Sequence, residues 1–134
     1  MRETRHMQGR FRLVEEDLLA GREFNDGICW TRFSIDIHGA PRNGTVDIKG
    51  RDVKPYQIPY RCLVPANREG LLMAGRCISG SSTAHGSFRV TGDCVAMGQA
   101  AGTAAALSVK AGIQPSDLNV KELIDELRRD KVNC

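Results

Sequence analysis

The stretch from residue 71 to residue 112 constrains the fold more than any other part of the chain. It begins with a short apolar run, LLMA (71–74), and an apolar run of this length that ends at a glycine is typical of a buried strand. A loop rich in glycine and serine follows at residues 77–87, and the alanine- and glycine-rich residues 90–111 predict a long helix. Because the first amides of a helix lack intrahelical partners, we expect a crevice suited to an anion where this helix begins, beside residues 71–76.

Two glycines inside the predicted helix, Gly98 and Gly102, need an explanation. Each costs about 1 kcal/mol relative to alanine in a helix interior. Close approach of a second backbone or of a flat ligand would offset that cost, and so would tight packing of the helix on a sheet. The residues alone leave these alternatives open. A membrane-spanning helix is not expected, because polar residues interrupt the apolar run well short of the ~20 residues that a span needs.

Composition is that of an ordinary globular protein. The chain has 134 residues, a length that fits one domain. Of these residues, 41% are hydrophobic and 26% are charged. The net charge of +3 is small and dispersed, which argues against a nucleic-acid partner. The five cysteines form no C-x-x-C pair, so we expect no metal site, and reduced thiols in the cytoplasm are the default. Residues 1–12 lack the apolar core of a signal peptide.

The N-terminal part of the chain predicts short elements. Residues 2–14 favour a strand, and residues 15–19 favour one or two helical turns that Gly21 would end. The alternation of apolar and polar residues at 33–38 predicts a half-buried strand, with Asp36 on its polar face.

His38 lies on the same polar face as Asp36, two residues away. A neighbouring carboxylate can hold a histidine in one tautomer and tune its pKa near neutrality, which suits an acid or a base. The alternative is a surface strand whose two polar residues face water.

Three further patterns concern turns and the C-terminal end. The Asn43-Gly44 pair predicts a hairpin turn, with residues 45–48 as the returning strand. Prolines bracket residues 60–64, which favours a short strand there. Asn119 is expected to cap a last amphipathic helix.

Four segments carry a resemblance to a known family. They are IPYRCLVP (58–65), LLMAGRCIS (71–79), HGSFRV (85–90) and MGQAAGTAAA (97–106). In this order they closely resemble the C-terminal end of the FAD-dependent oxidoreductase family, whose members have a glutathione-reductase-like FAD domain. The resemblance extends upstream to RETR (2–5), EEDLLAG (15–21) and IDIH (35–38), so it covers nearly the whole chain.

The resemblance implies roles for individual residues. Gly75 would let the backbone pass close to the FAD, Arg76 would pair with a phosphate, and Ser79 would hydrogen-bond cofactor or substrate. The start of the long helix, at Val90 and Thr91, would stabilise negative charge at the flavin ring.

The HGSFR segment (85–89) is similar to the H-G-x-x-R element of the fumarate reductase and succinate dehydrogenase flavoproteins, in which the arginine binds the substrate carboxylate. Gly86 is therefore a candidate cofactor contact, and Arg89 and His38 are the candidate catalytic residues. The spacing from Arg89 to Gly98 is about one helical turn shorter than in those enzymes. A flavin contact or a helix cap is an equal alternative for Arg89.

The sequence lacks the G-x-G-x-x-G turn that holds the adenine half of FAD in this family. We therefore expect a partial FAD-binding domain of the α+β or α/β class, with a few-stranded sheet, one long Ala/Gly-rich helix and a C-terminal helix. Residues 1–65 would form a partial substrate-side β segment. Residues 66–134 would form the C-terminal half of the FAD-binding domain.

Two functions remain open. The chain is a C-terminal fragment or subunit of an FAD-dependent oxidoreductase that contributes the isoalloxazine-side helix and part of the substrate cavity, or it is a non-catalytic remnant or oligomeric interaction module that binds no flavin by itself. FAD is expected only if a Rossmann-type half completes the site, so the isolated chain would be inactive. Bare strand edges and apolar surface predict a homo-oligomer or a separate FAD-binding chain as partner.

Overall fold

The computed structural model describes residues 6–37 and 49–134 as a mixture of helices and short strands. The helices in this part of the chain are α1 (Glu15–Ala20), α2 (Ser82–Phe88), α3 (Thr91–Ala111) and α4 (Val120–Arg129). The strands are β1 (Gly27–Thr31), β2 (Ile35–Asp36), β3 (Lys49–Arg51) and β4 (Tyr56–Pro59). Antiparallel pairing joins β1 to β4 and β2 to β3. The predicted class is confirmed, with few strands, one long Ala/Gly-rich helix and a C-terminal helix.

The helix predictions agree with the structure because their ends are encoded locally. α1 ends at Gly21 and α3 ends at Gly112, and both glycines adopt the left-handed conformation, with φ of 67° and 68°. Asn119 caps α4, since its side chain accepts a hydrogen bond of 3.2 Å from the Lys121 amide. The long helix begins one residue later than predicted.

The predicted strand at residues 71–74 is wrong. This segment makes one backbone–backbone hydrogen bond to the described chain, in which the Met73 amide donates to the Leu63 carbonyl at 2.9 Å. The chain then enters a 3₁₀ turn, Gly75–Cys77, with Gly75 at φ 70°. A strand requires a neighbouring strand, and the adjacent segment forms a second 3₁₀ turn, Tyr60–Cys62, instead.

The strand predicted at residues 60–64 is also wrong, because the chain forms this second 3₁₀ turn there. The strand in this region is β4, which ends just before the turn. Arg61 fixes the turn through Asp26. The Arg61 guanidinium donates to both carboxylate oxygens of Asp26, at 2.8 and 3.1 Å, and its backbone amide donates at 3.1 Å. These bonds hold the chain in a curved path.

The loop predicted at residues 77–87 is wrong over its second half, where α2 forms. The Ser81 hydroxyl accepts a hydrogen bond of 3.1 Å from the Ala84 amide and caps this helix. α2 is short and has five consecutive buried residues, 84–88, so this cap and that burial stabilise it, and no long periodic pattern marks it in the sequence.

The strand predicted at residues 2–14 is wrong over its described part. Residues 6–14 contain two isolated bridges, Gly9 to Pro65 and Leu13 to Gly80, and no strand. The strand predicted at residues 33–38 shortens to β2, which pairs with β3. The Asn43-Gly44 turn, the returning strand at residues 45–48 and His38 all lie outside the described residues.

One hydrophobic core includes residues of both predicted segments, and the boundary at residue 65 stays a prediction. The largest fully buried side chains are Leu13, Leu18, Ile28, Ile35, Tyr56, Ile58, Leu63, Ile78, Phe88, Met97, Leu123 and Leu127. The C-terminal end of the chain lies against β1, where the Trp30 amide donates a hydrogen bond of 3.0 Å to the Asn133 carbonyl. None of the described helices has the length and apolar character to cross a membrane.

One side of α3 packs on the core and the other side does not. Met97, Ala100, Ala104 and Ser108 are buried. Val95 and Val109 are 65% and 82% exposed, and an added Cβ at Gly98 or Gly102 would meet nothing within 4 Å. The two helix glycines therefore pack on no sheet within the described chain.

Candidate functional site

A crevice of about 340 Å³ lies where α3 begins. Its walls come from β2, from the 3₁₀ turn at Gly75–Cys77 and from the junction between α2 and α3. The residues that line it are Phe33, Asp36, Arg76, Arg89, Val90 and Thr91. A volume of this size is at the lower end of ligand pockets, and the expected crevice beside residues 71–76 is present.

Gly75 brings the 3₁₀ turn against the first turn of α3. Its positive φ favours glycine, and an added Cβ would lie 3.3 Å from the Sγ atom of Cys94. Arg76 follows at the rim of the crevice and is exposed. Its Nε donates to the Arg89 carbonyl at 3.3 Å, which orients the side chain without using its terminal nitrogens.

Arg89 lies at the C-terminal end of α2 and is held from the other side of the crevice. Its guanidinium donates to the Asp36 carbonyl at 2.6 Å and lies 3.6 Å from the Asp36 carboxylate. The Arg89 side chain is 13% exposed. This contact fixes the guanidinium at the crevice wall and ties β2 to the α2–α3 junction.

The N-terminus of α3 opens on the crevice without a side-chain cap. Val90 occupies the N-cap position in an extended conformation and its side chain makes no capping hydrogen bond. Within the described residues no acceptor is found for the amides of Thr91, Gly92 and Asp93. An added Cβ at Gly92 would meet open space. These amides therefore offer donors and the positive end of the helix dipole to a bound acceptor.

A half-buried carboxylate lies in the same helical turn. The Thr31 hydroxyl donates to Asp93 at 2.6 Å. Burial raises the pKa of Asp93 above its ordinary value, and the hydrogen bond from Thr31 opposes part of that shift. Burial likewise raises the pKa of the Cys94 thiol, and the Arg76 charge opposes it.

The candidate site residues separate into groups. Four of them line the crevice: Arg76, Arg89, Val90 and Thr91. Gly75 packs against the first turn of α3 beside it.

The other candidates lie elsewhere. Ser79 lines a second cavity instead. Gly86 lets α2 approach β2, since an added Cβ would be 3.1 Å from Ile37 Cγ1 and 3.2 Å from the Asp36 carbonyl. His38 lies outside the described residues. The chemical roles given to all these residues stay predictions.

Sequence reasoning missed the use of two crevice residues. Phe33 is 40% exposed and forms an apolar wall. Asp36 was placed on a polar strand face, but its pairing with Arg89 joins residues 53 apart in sequence. The period-two pattern at residues 33–38 identified the face, and no local pattern could identify the partner.

Comparison with protein families gives a match to the family described as FAD dependent oxidoreductase, over residues 1–127. Comparison with curated proteins and with solved structures gives no match.

Proposed function

The chain belongs to the family of FAD-dependent oxidoreductases, and from that premise we propose that it supplies the part of such an enzyme that contacts the redox ring of FAD. It would also contribute part of the substrate cavity. The observation that carries this proposal is the crevice at the uncapped N-terminus of α3, with Arg76 and Arg89 in its walls.

The residues present suit the polar edge of a flavin ring. That edge carries acceptor atoms that gain negative charge on reduction, and free helix amides stabilise such charge. Gly92 presents no side chain in front of these amides, so a flat ring can approach them closely. Phe33 adds an apolar surface, and the two arginines add positive charge.

When bound, the flavin supplies hydride or electron transfer, and the protein supplies binding and orientation. In this proposal the α3 amides hold the ring edge. Asp36 positions Arg89, and Arg76 keeps its terminal nitrogens for a ring or phosphate oxygen, since within the described residues its one hydrogen bond uses Nε.

The nucleotide end of FAD needs a second unit. The 134 residues contain no G-x-G-x-x-G turn, so the proposal assigns the pyrophosphate and adenine to a Rossmann-type half of glutathione-reductase-like kind outside these residues. We place the complete site in the cytoplasm on the basis of five cysteines that form no disulfide in the structure.

The exposed side of α3 is the proposed contact for that partner or for a second copy of this chain. Val95, Gly98, Gly102 and Val109 form an apolar stripe along the helix. Small residues in such a stripe permit a close approach of backbones, which would compensate the two glycines energetically.

Titration of the purified chain with flavins tests the proposal. We expect FAD and FMN to bind with similar, weak affinity, because this chain contacts the ring and lacks the turn that holds the adenine half. Bound flavin would be read from its visible absorbance and quenched fluorescence. Arg76→Gln should weaken binding by about tenfold, whereas Arg32→Gln, at an exposed position outside the crevice, should leave it unchanged.

The alternative function is a remnant or oligomeric interaction module that binds no flavin. The missing dinucleotide turn and the exposed stripe on α3 favour it. A protein that purifies colourless and stays colourless in excess FAD and FMN would support this alternative and contradict the flavin-contact function.

A further inference from the structure

A second cavity, of about 440 Å³, lies between the N-terminal segment and the segment that follows the Gly75–Cys77 turn. The two segments are joined at both ends of the cavity. The Met7 amide donates to the Cys77 carbonyl at 3.1 Å, and the Leu13 amide donates to the Ser79 carbonyl at 3.2 Å.

Between these anchors the N-terminal segment bends away from residues 77–81. The Arg10 amide donates to the Val64 carbonyl at 2.9 Å, and the Phe11 amide donates to the Arg61 carbonyl at 3.2 Å. The cavity therefore results from backbone pairing with two different neighbours. Gly9 makes this path possible, because an added Cβ would lie 2.7 Å from the Ser79 Cβ.

Two polar groups in the cavity wall are left without protein partners. Ser79 is 2% exposed, and its hydroxyl makes no hydrogen bond in the described part of the chain. Arg12 lines the same cavity and its guanidinium forms no ion pair or hydrogen bond with residues 6–37 or 49–134. The described residues thus leave one hydroxyl and one guanidinium at this cavity available to a polar occupant.

We propose that this cavity binds a small hydroxycarboxylate, with its carboxylate on Arg12 and a hydroxyl on Ser79. A guanidinium binds a carboxylate through two parallel hydrogen bonds. The described lining contains no aspartate or glutamate to oppose the anion. Ser79 can donate to or accept from a ligand hydroxyl, and Met7 adds an apolar wall for the carbon skeleton.

This site is distinct from the flavin crevice. Arg76 lines one cavity and Ser79 lines the other, three residues further along the chain. Binding at Arg12 and Ser79 requires no flavin, so the two proposals can fail separately.

The test is an NMR titration of the ¹⁵N-labelled chain with lactate, malate and gluconate, without flavin. We expect saturable shifts at the amides of Gly9, Ser79 and Gly80, with dissociation constants on the order of 1 mM. Glycerol, which has hydroxyls and no carboxylate, and inorganic phosphate serve as comparison probes and should bind at least about tenfold more weakly.

Arg12→Gln should weaken binding of the best carboxylate by about tenfold, and Ser79→Ala by about threefold or more. Matched controls are Arg32→Gln at an exposed arginine outside the cavity and Ser108→Ala at a buried serine on α3. Both controls should bind as the unmodified chain does.

Three outcomes would overturn the proposal. They are an absence of saturable shifts at the cavity amides with all three acids, equal loss in Arg12→Gln and Arg32→Gln, and phosphate binding as tightly as the best acid. Arg12 is exposed, so its variant should fold. If Ser79→Ala does not fold, the comparison of Arg12→Gln with Arg32→Gln decides the test.

Discussion

The guanidinium of Arg89 and the backbone of Asp36 are joined by a hydrogen bond of 2.6 Å across the crevice, and the Asp36 carboxylate lies 3.6 Å from the same guanidinium. The contact connects a two-residue strand to the junction of two helices. It gives Arg89 a structural task in addition to any contact with a ligand, and the ion pair is mostly shielded from water.

Replacing Arg89 should therefore destabilise the fold. We expect Arg89→Ala to lower the free energy of unfolding by about 2 kcal/mol, because it leaves the Asp36 carbonyl and carboxylate without this donor. Urea denaturation followed by circular dichroism measures this. Arg32→Ala, at an exposed position, should change stability by less than about 0.5 kcal/mol. Equal effects of the two variants would contradict the structural role of Arg89.

Gly75 and Gly92 should respond to alanine in opposite directions. Gly75→Ala places a Cβ 3.3 Å from Cys94 Sγ on a backbone with φ of 70°, and it should cost about 1–2 kcal/mol of unfolding free energy. Gly92→Ala adds a Cβ in open space on a helix, and it should stabilise by up to about 1 kcal/mol. Thermal and urea unfolding of the pair give the comparison; a neutral Gly75→Ala would show that the turn can relax.

Asp93 should make stability fall as pH rises through a narrow acidic range. In the unfolded chain its carboxyl has an ordinary pKa near 3.8, and burial raises the pKa in the folded protein. Between those two pKa values the folded state binds the extra proton, so stability decreases with rising pH and becomes constant above the folded pKa.

Asp93→Asn removes this dependence. The difference in unfolding free energy between the unmodified chain and the variant, measured from about pH 3.5 to about pH 7, should therefore change in this window. A constant difference would mean that the pKa of Asp93 is the same in both states.

The five thiols should divide into two classes. Cys29 and Cys62 are buried, and burial raises the pKa of each thiol to about 12. Both should resist N-ethylmaleimide at mildly alkaline pH in the native protein, because little thiolate forms and the reagent lacks access. The partly exposed Cys77, Cys94 and Cys134 should react. Mass spectrometry after labelling, with urea-unfolded protein as the control, counts the adducts; early labelling of Cys62 would contradict the packing.

A charge on the exposed stripe of α3 should break any assembly formed there. Val109 is 82% exposed, so Val109→Glu should leave the fold of a single chain unchanged within about 0.5 kcal/mol. We expect light scattering to give a mass above that of one chain for the unmodified protein and the mass of one chain for Val109→Glu. Lys121→Glu, exposed on α4, should keep the assembly. An unmodified protein that is monomeric at high concentration would refute the contact.

Sequence patterns predicted α3 and α4 well because their information is local. Gly112 ends one helix and Asn119 begins the next, and each acts on backbone groups within a few residues. The sequence predictions of strands were poorer. Residues 71–74 have the composition of a strand, but whether they form one depends on a neighbour that the chain folds into a 3₁₀ turn.

The candidate site likewise has a part that the sequence predicted and a part that depends on the tertiary structure. The family resemblance identified Arg76, Arg89, Val90 and Thr91, and the structure brings all four to one crevice. It did not distinguish Ser79, which the backbone path carries into a different cavity.

The amino-acid sequence by itself thus determined the long helix, its ends and the family, since hydrogen bonds four residues apart and short motifs are written in consecutive residues. The tertiary structure alone decided that Asp36 holds Arg89, that Gly98 and Gly102 face outward and that Arg12 shares a cavity with Ser79. Those relationships join residues far apart in sequence, and they depend on which backbone segments pair when the whole chain has packed.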